Sequence, residues 1–175
     1  MPNTRKAKMP RRQTPQDRPQ LPAGWRRLAA RLPILLFRCG LGWVFGKRLL
    51  LLHHTGRVTG LRRRAVLEVV EYEPDDSWVV ASGFGPSAAW YRNLRTEPKT
   101  IIEVGNRHHA VTAHFLTPDE GAEIMARYAR RHPRTARRLC VFMGCASDGT
   151  DTGFRESGRA VPFVRLDAAP GFRRP

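Results

Sequence analysis

The chain has 175 residues, of which 41% are hydrophobic and 26% charged, values ordinary for one soluble domain with a single core. Its net charge of +16 at pH 7 is unusual, and it attracts nucleic acid, anionic membrane surfaces or anionic ligands without choosing among them. Three cysteines without metal-type spacing indicate reduced thiols rather than a disulfide framework.

The first 27 residues carry eight basic side chains against one acid, Asp17. Residues 1–23 also contain five prolines and almost no large apolar side chain, so nothing there offsets the entropy lost on ordering. We predict a disordered basic arm over 1–23. It lacks the apolar core and cleavage site of a secretory signal.

Residues 24–47 are amphipathic, and Pro33 splits them into two short helical pieces. Arg38 interrupts the apolar run, so the segment is too broken to span a membrane. Two interpretations remain open. The apolar face packs on the following domain, or it lies in an anionic membrane interface beside the basic arm.

Residues 48–167 contain six short strands with turn signals between them, and helices are inserted at two places. This pattern favours a small antiparallel barrel over a parallel sheet, which needs a helix after each strand. The predicted strands are Leu49–Leu52, Ala65–Tyr72, Ser77–Ser82, Thr100–Val104, His109–Phe115 and Arg159–Leu166.

Helices are predicted over Ala88–Arg95, with Ser87 as the N-cap, and from Pro118 to about Arg131. A third, arginine-rich helix follows over Arg134–Met143. The turn-rich stretch Gly144–Gly158 is predicted to be a mobile loop, and residues 168–175 a basic tail.

The turn Thr55–Gly60, TGRVTG, places two hydroxyl–glycine pairs around Arg57. Backbone N–H groups, hydroxyls and the guanidinium forks of Arg57 and Arg62–Arg64 are the parts that hold a phosphate or carboxylate. The same residues also fit a tight basic hairpin turn, since neither a Walker loop nor a dinucleotide fingerprint is present.

Two adjacent histidine pairs, His53-His54 and His108-His109, stand on predicted strands or at their ends. Neighbours on a strand point to opposite faces, so neither pair chelates one ion as i,i+4 histidines on a helix do. We predict no metal site.

Three blocks in order, Leu51–Gly60, Trp78–Gly85 and Trp90–Leu94, resemble the deazaflavin (coenzyme F420)-dependent nitroreductase family, and the similarity covers roughly residues 40–166. The resemblance implies an α+β, mainly β fold, an antiparallel split β-barrel like that of FMN-binding oxidoreductases, with peripheral helices. It also implies transfer of hydride from the reduced 8-hydroxy-5-deazaflavin to a quinone, nitroaromatic or other activated double bond.

The resemblance implies that the turn holds the coenzyme's phosphate and acidic tail, while the ASGFG block and the following helix line the ring. Read from the residues alone, Trp90 and Leu94 at i,i+4 fit core anchors equally well. The implied cofactor-binding residues are Thr55, Gly56, Arg57, Thr59, Gly60, Arg63, Ala81, Ser82, Gly83, Gly85, Trp90 and Asn93.

The chain departs from the family's pattern in two places. Many relatives have Lys or Arg where this chain has Val58, so one phosphate contact is either absent or supplied by Arg62 or Arg64. Nitroreducing relatives carry tyrosines near the end of the later helix, where only Tyr128 and His132 are proton donors here. These two are the candidate catalytic residues, and His132 titrates nearer neutral pH.

We therefore expect a cytoplasmic oxidoreductase that acts on a small-molecule electron acceptor. The sequence is compatible with a homodimer and with peripheral contact with the inner face of the membrane, and it decides neither. One alternative is a split barrel that binds FMN or haem through the same turn. Another is a non-enzymatic basic membrane-binding module. Nucleic acid binding is not favoured, because no aromatic platform for bases accompanies the charge.

Overall fold

The computed structural model describes residues 46–73, 75–142 and 149–169, and within them six antiparallel strands close into a barrel in the order β1-β2-β3-β6-β5-β4. The predicted antiparallel barrel with peripheral helices is confirmed. The strands are β1 (Leu49–Thr55), β2 (Arg62–Glu73), β3 (Ser77–Ala81), β4 (Lys99–Val104), β5 (Arg107–Phe115) and β6 (Phe163–Ala168).

Strand alternation divides β1 between two faces. Leu50 and Leu52 point into the barrel core, where both are fully buried, and Leu51 and His53 point outward. Burying one such leucine contributes about 1.5–3 kcal/mol. A one-residue slip would reverse these faces, so the apolar core fixes the register in which Leu52 pairs with Ala65 on β2 and Ile102 on β4.

Within the described ranges, four α-helices accompany the barrel: α1 (Ala89–Thr96), α2 (Pro118–Arg131), α3 (Pro133–Phe142) and α4 (Asp151–Ala160). The last three form a second core on the outer side of β3 and β6, with Val79 and Phe163 from the strands. A capping box at Thr117 and Glu120 starts α2. Arg127 then ties α2 to β2 through a bidentate ion pair with Glu71, at 3.0 and 2.8 Å.

Three sequence predictions are wrong. The stretch predicted as a loop over Gly144–Gly158 is helical from Asp151, because the Thr150 hydroxyl caps α4 by accepting from the Gly153 N–H. Ser87 does not cap α1. It lies in a short 3-10 turn, Gly85–Ser87, and its hydroxyl donates to the Phe84 carbonyl. The closing strand also begins later than expected, at Phe163.

The basic arm predicted over 1–23, nearly all of the amphipathic segment 24–47 and most of the tail lie outside the described residues. The domain limits drawn there stay predictions. Among the described helices, each is too short or too polar to cross a bilayer.

Candidate active site

The β1–β2 turn is a closed loop of backbone hydrogen bonds. The Gly56 N–H donates to the Leu61 carbonyl (2.9 Å), and the Gly60 N–H donates to the Gly56 carbonyl (2.7 Å). Gly60 adopts φ +65°, which favours glycine. A Cβ on Gly56 would lie 2.7 Å from Oγ1 of Thr59, so a larger residue there would require the Thr59 side chain to move.

Asn93 on α1 clamps this turn to the barrel. Its Oδ1 accepts from the backbone N–H of Arg57 (3.2 Å) and from the Arg57 Nη1 (3.3 Å), while its Nδ2 donates to Nδ1 of His54 (2.8 Å). Asn93 is 3% exposed and His54 8% exposed. Asn93 therefore ties the turn to His54 through its amide oxygen and one N–H, and we call this arrangement of Arg57, Asn93 and His54 the clamp.

The clamp requires a neutral His54. Because an amide nitrogen is only a donor, Nδ1 of His54 must accept and the proton resides on Nε2. Burial lowers the pKa of His54, and the charges of Arg63 and His53 lower it further. The electrostatics therefore favour the same neutral form that the hydrogen bonds demand.

The turn carries an exposed cationic surface. Arg57 and Arg62–Arg64 are all exposed, and within the described ranges no carboxylate oxygen lies within 4.0 Å of their guanidinium nitrogens. Guanidinium groups without acidic partners are available for bidentate contact with phosphate or carboxylate. The turn can therefore bind an anion as well as close a hairpin.

The ASGFG block, Ala81–Gly85, forms a second tight loop whose hydrogen-bond donors are used mainly within the loop. The Ser82 hydroxyl donates to the Gly85 carbonyl (2.7 Å), the Gly85 N–H donates to the Ser82 carbonyl (2.8 Å), and the Ser82 N–H donates to Pro162 (2.8 Å). Gly85 has φ +67°. The donors of Ser82 and Gly85 are thus used internally, and Ala81 pairs with Phe163 at the end of β3. Gly83 lies half-buried between them.

Trp90 is 8% exposed and packs in the barrel core beside fully buried Leu94, as the core-anchor interpretation requires. Its ring meets Tyr91 edge-on, with ring centroids 5.8 Å apart. The structure therefore gives Trp90 a packing role, whereas Asn93 of the same helix contacts the turn through Arg57.

Tyr128 and His132 lie together near the end of α2, with ring centroids 5.4 Å apart. The Tyr128 hydroxyl donates to Oε1 of Glu68 on β2 (3.3 Å). Burial, followed by the charge of Glu68, raises the pKa of Tyr128 to about 12. Its phenol is therefore a proton donor and not a base at neutral pH, whereas His132 is exposed.

This raised pKa predicts an alkaline loss of stability. A free tyrosine titrates near pH 10, so between pH 10 and pH 12 the unfolded chain releases a proton that the folded chain keeps. We expect the free energy of unfolding to fall across this window, and to fall less in Tyr128→Phe. Urea denaturation of both proteins at pH 9, 10, 11 and 12 measures the difference. Parallel curves would contradict a raised pKa.

The sequence elements that build this site match a known protein family. Residues 38–143, which include the turn, the ASGFG block, α1, Tyr128 and His132, match the family described as F420H(2)-dependent quinone reductase. The chain belongs to the F420H2-dependent quinone reductase family. The deazaflavin resemblance drawn from the three sequence blocks is therefore confirmed, and the chain is a member of a family of oxidoreductases.

Solved structures similar to this family member are distant in sequence. An F420-H2 dependent reductase, FDR-A, is 19% identical, with a TM-score of 0.48 over 70% of this chain and 96% of that one. Protein Atu2129 of Agrobacterium tumefaciens, of unknown function, is 17% identical, with a TM-score of 0.50 over 79% of this chain and 55% of its own. A pyridoxamine 5′-phosphate oxidase-related FMN-binding protein of Nostoc punctiforme is 16% identical, with a TM-score of 0.45 over 83% and 81%. Comparison with curated proteins finds no match.

Two residues of this family member were missed by sequence reasoning. His54 completes the clamp, and Glu68 holds the Tyr128 hydroxyl. Strand alternation predicts that His54 points inward and Glu68 outward, but it does not indicate their partners, which are 39 and 60 residues away in the chain.

Proposed function

We propose that the protein transfers hydride from reduced coenzyme F420 to a quinone, with the β1–β2 turn holding the acidic end of the coenzyme. The observation that carries this proposal is the clamp, in a chain whose family is F420H2-dependent. The clamp fixes the backbone of an exposed turn rich in guanidinium groups, and a rigid anion site loses less conformational freedom on binding than a mobile one.

The residues of the turn fit an acidic coenzyme. Arg57, Arg63 and the neighbouring arginines supply bidentate donors for a phosphate and for carboxylates of a polyglutamate tail, and the Thr55 and Thr59 hydroxyls lie in the same turn. Ser82 and Gly85 shape the adjoining loop and do not donate to the ring, since their donors are already used. When bound, the reduced deazaflavin supplies the hydride.

Tyr128 and His132 are the proposed proton donors to the acceptor. Both lie near the end of α2, and Glu68, which holds the Tyr128 hydroxyl, stands six residues into β2 from its start at the turn. That is about 20 Å along the strand, so the two groups lie at separate places along one strand of the barrel. Burial and Glu68 raise the pKa of Tyr128 to about 12, so its phenol is a poor acid near neutral pH. The imidazole of His132 is exposed and is therefore the more accessible of the two groups.

We expect His132→Gln to lower kcat for quinone reduction at least tenfold, because general acid catalysis contributes about 10²–10⁴-fold. The affinity for reduced F420 should stay unchanged. The loss of reduced coenzyme absorbance in stopped flow with a soluble quinone measures this, and His114→Gln, an exposed histidine on β5, is the matched control. An unaltered kcat in His132→Gln would remove this residue from the mechanism.

The acceptor class is tested by comparing a soluble quinone with a nitroaromatic at equal concentration. Since Tyr128 is the single tyrosine in the region where nitroreducing relatives carry several, we expect the quinone to have the higher kcat/KM. A higher value for the nitroaromatic would overturn this preference. The homodimer and the peripheral membrane contact stay predictions.

A further inference from the structure

The outer face of the barrel gathers three metal-ligating side chains that lie outside the turn and the α2 site. In the register of β1, β4 and β5, Leu51 pairs with Glu103, and Glu103 pairs with His108. His53 stands two residues beyond Leu51 and so shares its outward face. One ligand atom from each of His53, Glu103 and His108 lies within 4.8 Å of the other two.

We propose that His53, Glu103 and His108 bind one divalent transition metal ion of the zinc class. Two imidazoles and a carboxylate, with a fourth position left for water, are a donor set that binds Zn²⁺. The argument against adjacent histidine pairs still holds, because each pair contributes one member and the sheet supplies the contact between them.

One polar atom of this cluster is buried without a partner among the described residues. Within the described chain, the buried Nε2 atom of His53 has no hydrogen-bond partner. Glu103 is 9% exposed, and its closest ionic contact there is Nε2 of His108 at 3.7 Å, too long for a hydrogen bond. A buried polar atom without a partner is costly, and a metal ion would satisfy His53 Nε2 while it is also ligated by Glu103 and His108.

The distances allow a metal to be enclosed by a small side-chain movement. Bonds of about 2.0–2.1 Å to tetrahedral Zn²⁺ place two ligand atoms about 3.3 Å apart. His108 Nε2 and Glu103 Oε2 are already 3.7 Å apart, and the side chain of His108 is 58% exposed and free to turn. His53 and Glu103 lie on neighbouring strands and need little backbone movement.

The positive charges of nearby arginines repel a metal cation and lower the affinity of the site for it. Arg64 pairs with His53 across β1 and β2, and its charge acts on both His53 and Glu103, while Arg62 acts on His53. The site should therefore bind Zn²⁺ at a micromolar rather than nanomolar Kd, and Arg64→Gln should tighten binding several-fold by removing a repelling charge.

The test is titration of the tag-free full-length protein with Zn²⁺ by calorimetry, and with Co²⁺ by visible absorbance. We expect one ion per chain, loss of at least tenfold in affinity in His108→Ala and in Glu103→Gln, and no loss in His114→Ala. At about 100 times the Kd, Zn²⁺ should raise the Tm by ~5–10 °C. Circular dichroism verifies that each variant is folded.

Absence of binding up to millimolar Zn²⁺ would overturn the proposal, as would affinity unchanged in the His108→Ala, Glu103→Gln double variant. The metal site and the coenzyme site are separable by experiment. These variants should still bind reduced F420, so failure of one site leaves the other intact.

Discussion

Replacing Asn93 with alanine should remove the hydrogen bonds that hold the β1–β2 turn and lower the affinity for reduced F420 by at least tenfold. The substitution removes the acceptor of two Arg57 donors and leaves Nδ1 of His54 buried without a partner. An orphaned buried group costs about 1–3 kcal/mol, so the free energy of unfolding should also fall by about 2–4 kcal/mol. Calorimetric titration with reduced F420, at a temperature where the variant is folded, measures the first effect.

Two further variants distinguish the effect of the clamp on F420 binding from the effect of losing one positive charge. Arg92→Ala removes an exposed guanidinium from the same helix without touching the clamp, and it should bind F420 nearly as the parent does. Asn93→Asp keeps the acceptor for Arg57 but loses the donor to His54, so it should bind more tightly than Asn93→Ala. If Asn93→Ala bound the coenzyme like the parent, the clamp would have no part in coenzyme binding.

Replacing Gly158 with alanine should destabilise the fold by about 2–4 kcal/mol, although alanine is the better helix former by about 1 kcal/mol. Helix α4 crosses α2 at Gly158 and Gly121, where the backbones touch. A Cβ on Gly158 would lie 2.4 Å from the Gly121 carbonyl oxygen and 2.8 Å from the Ala122 Cα. Backbone atoms cannot move aside, so the helices must separate. Urea denaturation followed by circular dichroism measures the loss.

The matched control is Glu156→Ala, on the exposed side of the same helix, which should change the free energy of unfolding by less than about 0.5 kcal/mol. A neutral or stabilising Gly158→Ala would mean that residues 151–160 do not pack on α2. Because Phe154 of α4 and Tyr128 of α2 share the second core, Gly158→Ala should also reduce quinone turnover.

The barrel was predictable because each strand is visible in the sequence as a short apolar run. Apolar runs such as Leu49–Leu52, separated by turn residues, indicate strands wherever one face is buried. Six strands with helices at only two places between them indicate an antiparallel sheet, because a parallel sheet needs a helix after each strand. Helix α4 was not predictable in this way. Its glycines and serine are typical of a loop, yet Gly153, Ser157 and Gly158 are buried in the helix, and Gly158 is small because another backbone crosses it.

The candidate site likewise contains features that the sequence predicts and features that only the fold reveals. The motif placed Arg57 and Asn93 in one site, and the structure joins them directly. The motif did not show that the Asn93 amide joins the turn to the barrel, because this depends on His54, 39 residues away. Likewise, the histidine pairs look inert in sequence, and only the register across β1, β4 and β5 brings His53 to Glu103 and His108.

The most direct test of the central claim is an equilibrium titration of the protein with reduced and oxidised F420, followed by tryptophan fluorescence, with FMN as the control ligand. We predict micromolar binding of F420, weaker binding of FMN, and a loss of about 10–100-fold in Arg57→Ala, the value of a charge-assisted contact. Tighter binding of FMN, or F420 binding that is indifferent to Arg57, would contradict the account.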